Sequence, residues 1–172
     1  MPKKSSAPFV LAQALLSAFD TNDRINQYLL DNLPAEAWRV EPPGKKGRDV
    51  AGVVAHMHNV RVMWLKATKG KIPEQLDRFT VTPTQAKKGL EASRAALREV
   101  LQSSIAGDGR VKGFRPDVAG FFAYLIAHDA HHRGQITMLA RQAGHAIPPK
   151  ATFGMWEWGV RYTETAKLKK LN

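Results

Sequence analysis

Cysteine is absent from this 172-residue chain, and no long apolar run occurs in it. Without cysteine there is no disulfide and no thiolate ligand, so histidine and carboxylate groups are the side chains that could bind a metal ion. No apolar run approaches the ~18 residues needed to cross a membrane. We therefore expect no membrane partner, and the lack of cysteine agrees with a cytoplasmic protein.

Acidic residues are also scarce, with 15 Asp and Glu against 26 Lys and Arg, which gives a formal net charge of +11. Such an excess suits nucleic acid or another acidic partner. However, the paired lysines lie in predicted tails and turns, at positions 3–4, 45–46, 87–88 and 169–170, and no known DNA- or RNA-reading motif accompanies them. The favoured interpretation is a solvated basic surface, so we do not expect nucleic acid as the main partner.

The length and the apolar fraction of 44% predict a single domain over residues 1–172. The start, with Lys3 and Lys4 ahead of Phe9, superficially resembles a signal peptide. The apolar pattern does not stop after a short run, however, but continues to Leu33 with the spacing of a long amphipathic helix. We therefore expect no signal peptide.

Helical periodicity predicts four long helices, and no segment has a convincing strand pattern. The predicted helices cover residues 8–33, 49–69, 83–105 and 117–144, with glycine- and proline-containing breaks between them. A short fifth helix is expected within residues 155–170, where Trp156 and Trp158 should cover one end of the bundle. The predicted fold class is all-α, a four-helix bundle with a short C-terminal helical extension.

The strongest functional signal is a pair of histidines one helical turn apart in the last long helix. His128 and His132 fall in an apolar stripe whose other members are Phe121, Leu125, Ile136, Leu139 and Ala143. Imidazoles at i and i+4 point the same way, about 6 Å apart along the axis, so their nitrogens can converge on one ion. The alternative is a pair of packed core histidines with satisfied hydrogen bonds.

A third ligand is expected from the second helix, which carries His56 and His58. At ~100° per residue, His56 shares a face with Val53, Val60, Met63, Trp64 and Ala67, whereas His58 points about 160° away from the centre of that face. We take His56 as the one that faces inward, and His131, at the flank of its stripe, as a weaker candidate. The predicted metal site is His56, His128 and His132, a set suited to Zn, Ni, Cu or Fe, with a fourth position open for water or substrate.

Four polar residues are candidates for holding the ligands in place. Asn22 and Asn26 lie on the apolar face of the first helix, where an amide needs a partner, so one of them could hydrogen-bond a ligand histidine or a bound water. Gln135 lies near the histidines in helical phase, and Asp129, about 60° from the stripe centre, could orient an imidazole. The alternatives are a loop-capping role for the asparagines and a surface charge for Asp129.

The second helix is apolar nearly all round. Its outer face carries Val50, Val54, Met57, Val62 and Leu65 in addition to the inner stripe. A helix of this kind is buried on both sides. The third helix or the C-terminal segment could cover part of this surface, and otherwise we expect a twofold homodimer with the second helix near its axis.

Two segments carry a family resemblance: residues 47–49 leading to AHMHNVRVMWL at 55–65, and HDAHHRGQI at 128–136. They resemble the DinB (damage-inducible) family, the YfiT-like four-helix bundles, over nearly the whole chain. The resemblance implies a cytoplasmic protein, often homodimeric, with a divalent metal ion, commonly nickel or zinc, on one histidine of the second helix and two of the last. Those positions correspond to His56, His128 and His132.

The resemblance is more informative for fold and metal than for the reaction. The wider superfamily includes thiol S-transferases and metal-dependent isomerases. We expect a metal-dependent enzyme, transferase- or hydrolase-like, that acts on a small-molecule substrate, with a low-molecular-weight thiol as one candidate. The competing interpretations are a metal-binding protein without catalysis and a nucleic-acid-associated stress protein.

Overall fold

Four long α-helices make up most of the structure, a computed structural model that describes residues 8–171, with side chains up to residue 167. They are α1 (Leu11–Asp31), α2 (Val50–Thr68), α3 (Pro83–Ala106) and α4 (Val118–Gln142). The described residues contain no strand, so the predicted all-α fold is confirmed. The charged start at positions 1–4 and the lysine side chains at 169–170 lie outside the described part.

Side-chain caps fix where three of the helices begin. The carboxylate of Asp49 accepts a hydrogen bond of 2.7 Å from the backbone N–H of Gly52 at the start of α2, and Asp117 caps α4 in the same way. Thr82 and Gln85 form a reciprocal capping box at the start of α3. Each cap satisfies a backbone donor that has no partner inside the helix, which stabilises the helix by about 1 kcal/mol.

The four helices form a bundle in which α1 and α2 lie diagonally opposite each other. Each of these two helices packs against both α3 and α4. The connection between α1 and α2 contains two short 3-10 helices, Ala35–Arg39 and Pro43–Lys45. Trp38 in the first of them is buried, and its indole N–H donates to the carbonyl of Val81, 3.0 Å away. This arrangement brings the inner faces of α2 and α4 side by side.

The interior contains two apolar clusters with a polar layer between them. One cluster includes Val54, Leu90 and Ile136, and the other includes Phe19, Leu97 and Phe121, together with their neighbours on the same helices. Between the two, along the helices, lie buried polar side chains, namely Asp23 and Asn26 of α1, His58 and Arg61 of α2, Ser93 of α3, and Asp129 and His132 of α4. The middle of the bundle therefore holds polar chemistry on all four helices.

The prediction of which face of α2 points inward and which points outward is wrong. The predicted outer face of Val50, Val54, Met57, Val62 and Leu65 is fully buried inside the chain, whereas Met63 of the predicted inner face is 50% exposed. The chain's own helices cover the apolar surface that motivated a dimer through α2. The homodimer stays a prediction from the family resemblance.

The C-terminal extension consists of two helices where the sequence predicted one, α5 (Pro149–Gly154) and α6 (Trp158–Leu171). Both pack against α1. The guanidinium of Arg161 in α6 lies 3.9 Å above the ring of Tyr28, which helps to hold α6 along the bundle. Trp156 is 78% exposed at the break between the helices, so the prediction that it covers the bundle end is wrong. Trp158 is 37% exposed and borders the start of α1. None of the described helices meets the length and hydropathy of a membrane span.

Candidate metal centre

Three histidines converge between α2 and α4. His56 comes from α2, and His128 and His132 come from successive turns of α4. One ring nitrogen of each lies within 4.8 Å of the corresponding nitrogens of the other two. His132 is buried, and His56 and His128 are partly buried, so the cluster lies at the edge of the core with one side open. The structure thus brings together the three residues that the sequence predicted as ligands.

The spacing of the nitrogen atoms fits a divalent ion. The Nε2 atoms of His128 and His132 are 3.2 Å apart. Two nitrogens that bind one tetrahedral zinc ion at ~2.0–2.1 Å lie about 3.3 Å from each other. The ring of His56 stands 4.7 Å from that of His132 and 5.4 Å from that of His128, centre to centre. The residues present could therefore hold an ion with three imidazole nitrogens.

The protonation states favour a metal site as well. Burial lowers the pKa of His56 to about 4, with help from the positive charge of Arg48 and from the two neighbouring imidazoles. Burial also lowers the pKa of His132, although its hydrogen bond to Gln135 opposes this. Both rings are therefore neutral at pH 7, and a neutral imidazole has the lone pair that a metal ion requires.

Acidification from pH 7.5 to pH 5 should destabilise the fold, and the metal-dependent part of the stability should disappear over the same interval. Between about pH 6.5, where histidine titrates in the unfolded chain, and pH 4, the folded pKa of His56, the unfolded chain binds a proton that the folded chain does not. Stability therefore falls as the pH drops through this window and is unaffected above it. A metal ion widens the difference, because it also competes with protons for the folded site.

Thermal melts with and without a chelator, at pH 7.5 and at pH 5, measure this effect. We expect the chelator to lower the melting temperature at pH 7.5 and to matter much less at pH 5, with the metal-free bundle still folded at pH 7.5. Identical melting temperatures with and without chelator at pH 7.5 would show that the histidines are a packed core feature and not an occupied metal site.

Gln135 orients the buried ring of His132. Its Oε1 lies 2.7 Å from Nδ1 of His132, and because a carbonyl oxygen only accepts, His132 must donate from Nδ1. The lone pair of the neutral ring then lies on Nε2, the atom that faces His128. The side-chain amide of Gln135 also lies 3.1 Å from Nε2 of His131. His131 itself is exposed and lies outside the three-histidine cluster.

His58 is fully buried, so the prediction that only His56 faces inward is wrong. His58 faces α3, where its Nε2 donates to the backbone carbonyl of Glu74 at 2.8 Å and its Nδ1 lies 3.2 Å from the hydroxyl of Ser93. The error has a simple cause: α2 is packed between α3 and α4, so it has two inward faces. The structure still brings His56, and not His58, into the cluster.

Asp129 is buried, so the alternative interpretation of this residue as a surface charge is wrong. Its Oδ1 lies 3.9 Å from Nδ1 of His128. Its Oδ2 accepts hydrogen bonds from Asn22 at 2.7 Å, from Asn26 at 2.8 Å and from Arg61 at 2.7 Å. Burial opposes ionisation, but the charge of Arg61 and the hydrogen bonds outweigh it and hold the pKa of Asp129 well below its usual range.

The two asparagines therefore bind Asp129, and the structure shows neither of them bonded to a histidine. Their carbonyl oxygens accept from Arg133, at 2.9 Å for Asn22 and 2.6 Å for Asn26. Both ends of each amide are thus satisfied inside one network. In relation to the histidine cluster, the asparagines act through Asp129, whose carboxylate faces His128.

Arg61 is the central residue that the sequence analysis missed. It is 1% exposed and donates to Asp23 at 2.7 Å, to Asp129 at 2.7 Å and to the backbone carbonyl of Leu90 at 3.1 Å. The signal was present, since Arg61 lies one helical turn from both Met57 and Leu65, in a helix that is apolar nearly all round. A charge in that position is stable only if oppositely charged side chains from other helices meet it.

The comparisons with known proteins agree with this geometry. A family model described as the DinB superfamily matches residues 18–136, which is more than half of the chain and includes all of α2 and α3 and the three histidines. The chain belongs to the DinB superfamily. A second model, described as the DinB family, matches residues 115–162, from the start of α4 into α6. The DinB assignment made from the sequence motifs is confirmed.

The DinB fold is also found among solved structures. The crystal structure of a DinB-like protein from Bacillus cereus matches with a TM-score of 0.63 and 28% sequence identity. The match covers 79% of this chain and 95% of that one. A search of curated proteins gave no match.

Proposed function

We propose that this DinB protein binds one divalent metal ion on His56, His128 and His132 and uses it as an enzyme on a small-molecule substrate. The observation that carries the proposal is the convergence of three imidazole nitrogens within 4.8 Å, from two helices, at a partly open site. A site with three protein ligands and an open side is typical of catalytic metal centres, whereas structural sites are closed by four protein ligands.

The ligand chemistry favours a transition metal ion or zinc. The cluster contains no carboxylate and the chain has no cysteine, so the ligands are nitrogen atoms alone. Imidazole suits Zn, Ni, Cu and Fe, and does not suit the oxygen-seeking Mg and Ca. Within that group, nickel and zinc are our proposal because they are the ions that the DinB resemblance implies.

When bound, such an ion would supply a Lewis acid that polarises a carbonyl group or makes a thiol or water more acidic. The chain's own residues prepare the site for that chemistry. Gln135 accepts from Nδ1 of His132 and so directs its Nε2 toward the cluster. Asp129 places a buried negative charge 3.9 Å from His128, which strengthens that imidazole as an electron donor. The open side of the cluster is left for the substrate.

The reaction classes that fit are thiol transfer and hydrolysis. Both use a nucleophile that is activated by the metal ion, and both need an open site beside it. We propose a thiol S-transferase-like or hydrolase-like activity, with a low-molecular-weight thiol as one candidate substrate. A homodimer and a cytoplasmic location accompany this proposal as predictions from the resemblance, and light scattering at micromolar concentration tests the first.

Metal analysis followed by two activity assays tests the proposed function. The purified protein should contain about one divalent ion per chain by mass spectrometry. After reconstitution with zinc or nickel it is assayed for conjugation of thiols to an electrophile and for hydrolysis of an activated ester. We expect one of these activities to disappear with chelation and to return with metal.

The remaining outcomes point to the other interpretations. A full complement of metal without either activity would favour a metal-binding protein that is not an enzyme. Retention on DNA that falls steeply with salt would favour the nucleic-acid-associated protein. A protein that takes up no ion even after reconstitution would refute the metal site itself.

A further inference from the structure

A groove runs along the surface beside the histidine cluster. It lies between the start of α2 and the C-terminal half of α4 and has a volume of about 620 Å³. Its lining residues are Gly47, Arg48, Val53, His131, Gly134, Gln135, Met138 and Leu139. Gln135 belongs to both features, since it lines the groove and also contacts His132. A molecule in the groove would therefore lie next to the proposed metal site.

The groove wall is apolar along α4 and the facing turn of α2. Val53, Met138 and Leu139 form this part. Met138 is 45% exposed and Leu139 is partly buried, whereas Val53 is only 3% exposed, so Met138 and Leu139 offer most of the apolar surface. Exposed apolar side chains in a concave surface suit the hydrocarbon part of a ligand, because burying them against it removes apolar area from water. No acidic residue is among the lining residues.

One cation lies at the end of this wall. Arg48 is exposed, and no carboxylate pairs with it among the residues that the structure describes. The adjacent acid is engaged elsewhere, since Asp49 accepts from the N–H of Gly52 at 2.7 Å and pairs with Arg39 at 3.2 Å. The charge of Arg48 reaches His56, so the cation and the histidine cluster are near neighbours.

A second groove also borders Arg48, but it suits an anion less well. Its lining includes two carboxylates, Glu41 and Asp49, and two further cations, Lys45 and Arg78. The carboxylates there compete with an anionic ligand for the cations, since Lys45 lies 3.6 Å from Glu41. The groove along α4 has no carboxylate in its lining. The arginine is thus free to bind an anion on the α4 side, where its planar guanidinium can donate two hydrogen bonds to a carboxylate.

We infer that the substrate of the metal site is an amphipathic anion, with its apolar part on Val53, Met138 and Leu139 and its carboxylate or similar group on Arg48. This inference rests on the proposed function, because only that function makes the molecule in the groove a substrate. The groove itself is formed by protein side chains alone, so the preference for an anion can be tested in the metal-free protein too.

The test compares two probes of equal shape, 4-phenylbutyrate and 4-phenylbutan-1-ol. Each is titrated into zinc-loaded and chelator-treated protein, and the backbone amide resonances of Gly47 and Gly134 are followed by NMR, with Gly109 as a remote reference. We expect the acid to bind about tenfold more tightly than the alcohol, as one partly desolvated charged contact provides. We expect this ratio in both forms of the protein, and a smaller ratio at high salt.

Three variants locate the contact. Arg48→Met should remove the preference for the acid while leaving the metal content unchanged, and Arg48→Lys should retain part of it. Arg78→Met changes the net charge equally and lines the other groove, so it should leave the preference intact. Equal affinities for acid and alcohol, a preference that survives Arg48→Met, or one that Arg78→Met abolishes would each overturn the inference. If the parent protein bound no zinc but still preferred the acid to the alcohol, the proposed function would be refuted and the anion site would remain.

Discussion

Each of the variants His56→Ala, His128→Ala and His132→Ala should reduce the metal content from about one ion per chain to a small fraction of that. In the proposed site three imidazoles would share the ion, so each variant removes one of three ligand atoms. Loss of a residue that only supports a ligand costs about 10–100-fold in metal affinity, and the loss of a ligand should cost at least about 100-fold. Mass spectrometry of the purified variants, and titration of the metal-free proteins with zinc, measure the change.

Two other histidines provide matched controls for this prediction. His131 lies on the same helix, with its ring centre 5.0 Å from that of His132, yet it is outside the cluster. His131→Ala should therefore keep its metal. His58→Ala should also keep it, although the fold should be weaker because Glu74 and Ser93 lose a buried partner. Equal loss in all five variants, or full occupancy in the first three, would refute the assignment of the ligands.

Arg61→Met should destabilise the fold by about 3–5 kcal/mol, because it removes the cation from a buried ion-pair network. Arg61, Asp23 and Asp129 are all almost fully buried, and both carboxylates lie 2.7 Å from the guanidinium. Burial raises the pKa of Asp23 despite its arginine neighbours, because it removes the carboxylate from water. For a domain of this size the loss corresponds to a fall in melting temperature of roughly 6–20 °C.

Thermal and urea unfolding of Arg61→Met beside Arg110→Met measure this effect. Arg110 also pairs with a carboxylate, that of Asp108, but both side chains are largely exposed and the atoms are 3.9 Å apart. An exposed pair of this kind contributes little, so the second variant should unfold within about 0.5 kcal/mol of the parent. If Arg61→Met were as stable as Arg110→Met, the network would not be the stabilising element that its burial implies.

The helices, and the relative placement of histidines within each helix, could be predicted because they depend on local periodicity. A residue's position in an α-helix follows from its number, so His128 and His132 had to lie on one face and His56 had to lie on a different face from His58. The capping side chains at Asp49, Thr82 and Asp117 act within a few residues of their own helix. Interactions of this range can be inferred from the sequence alone.

Which face of α2 points inward could not be predicted in the same way. The helix is apolar nearly all round, so its pattern does not distinguish the side that packs on α3 from the side that packs on α4. Only the packing of four helices shows that Val62 is fully buried and that Met63 is half exposed. The same packing turns His58 toward α3 and forms the groove between α2 and α4 that Gln135 lines.

By itself, then, the sequence determined the all-α fold, the family and the shared face of His128 and His132, because helical phase and short motifs are local properties. That His56 meets this pair depends on how α2 packs against α4. The tertiary structure alone decided the partners of Asn22, Asn26, Asp129 and Arg61. These four lie on three different helices, and hydrogen bonds such as that from Asn22 to Asp129 join residues 107 positions apart in the chain. A buried charge is stable only with its complete set of partners, and the distances between helices that assemble the set are fixed by the packing of the whole bundle.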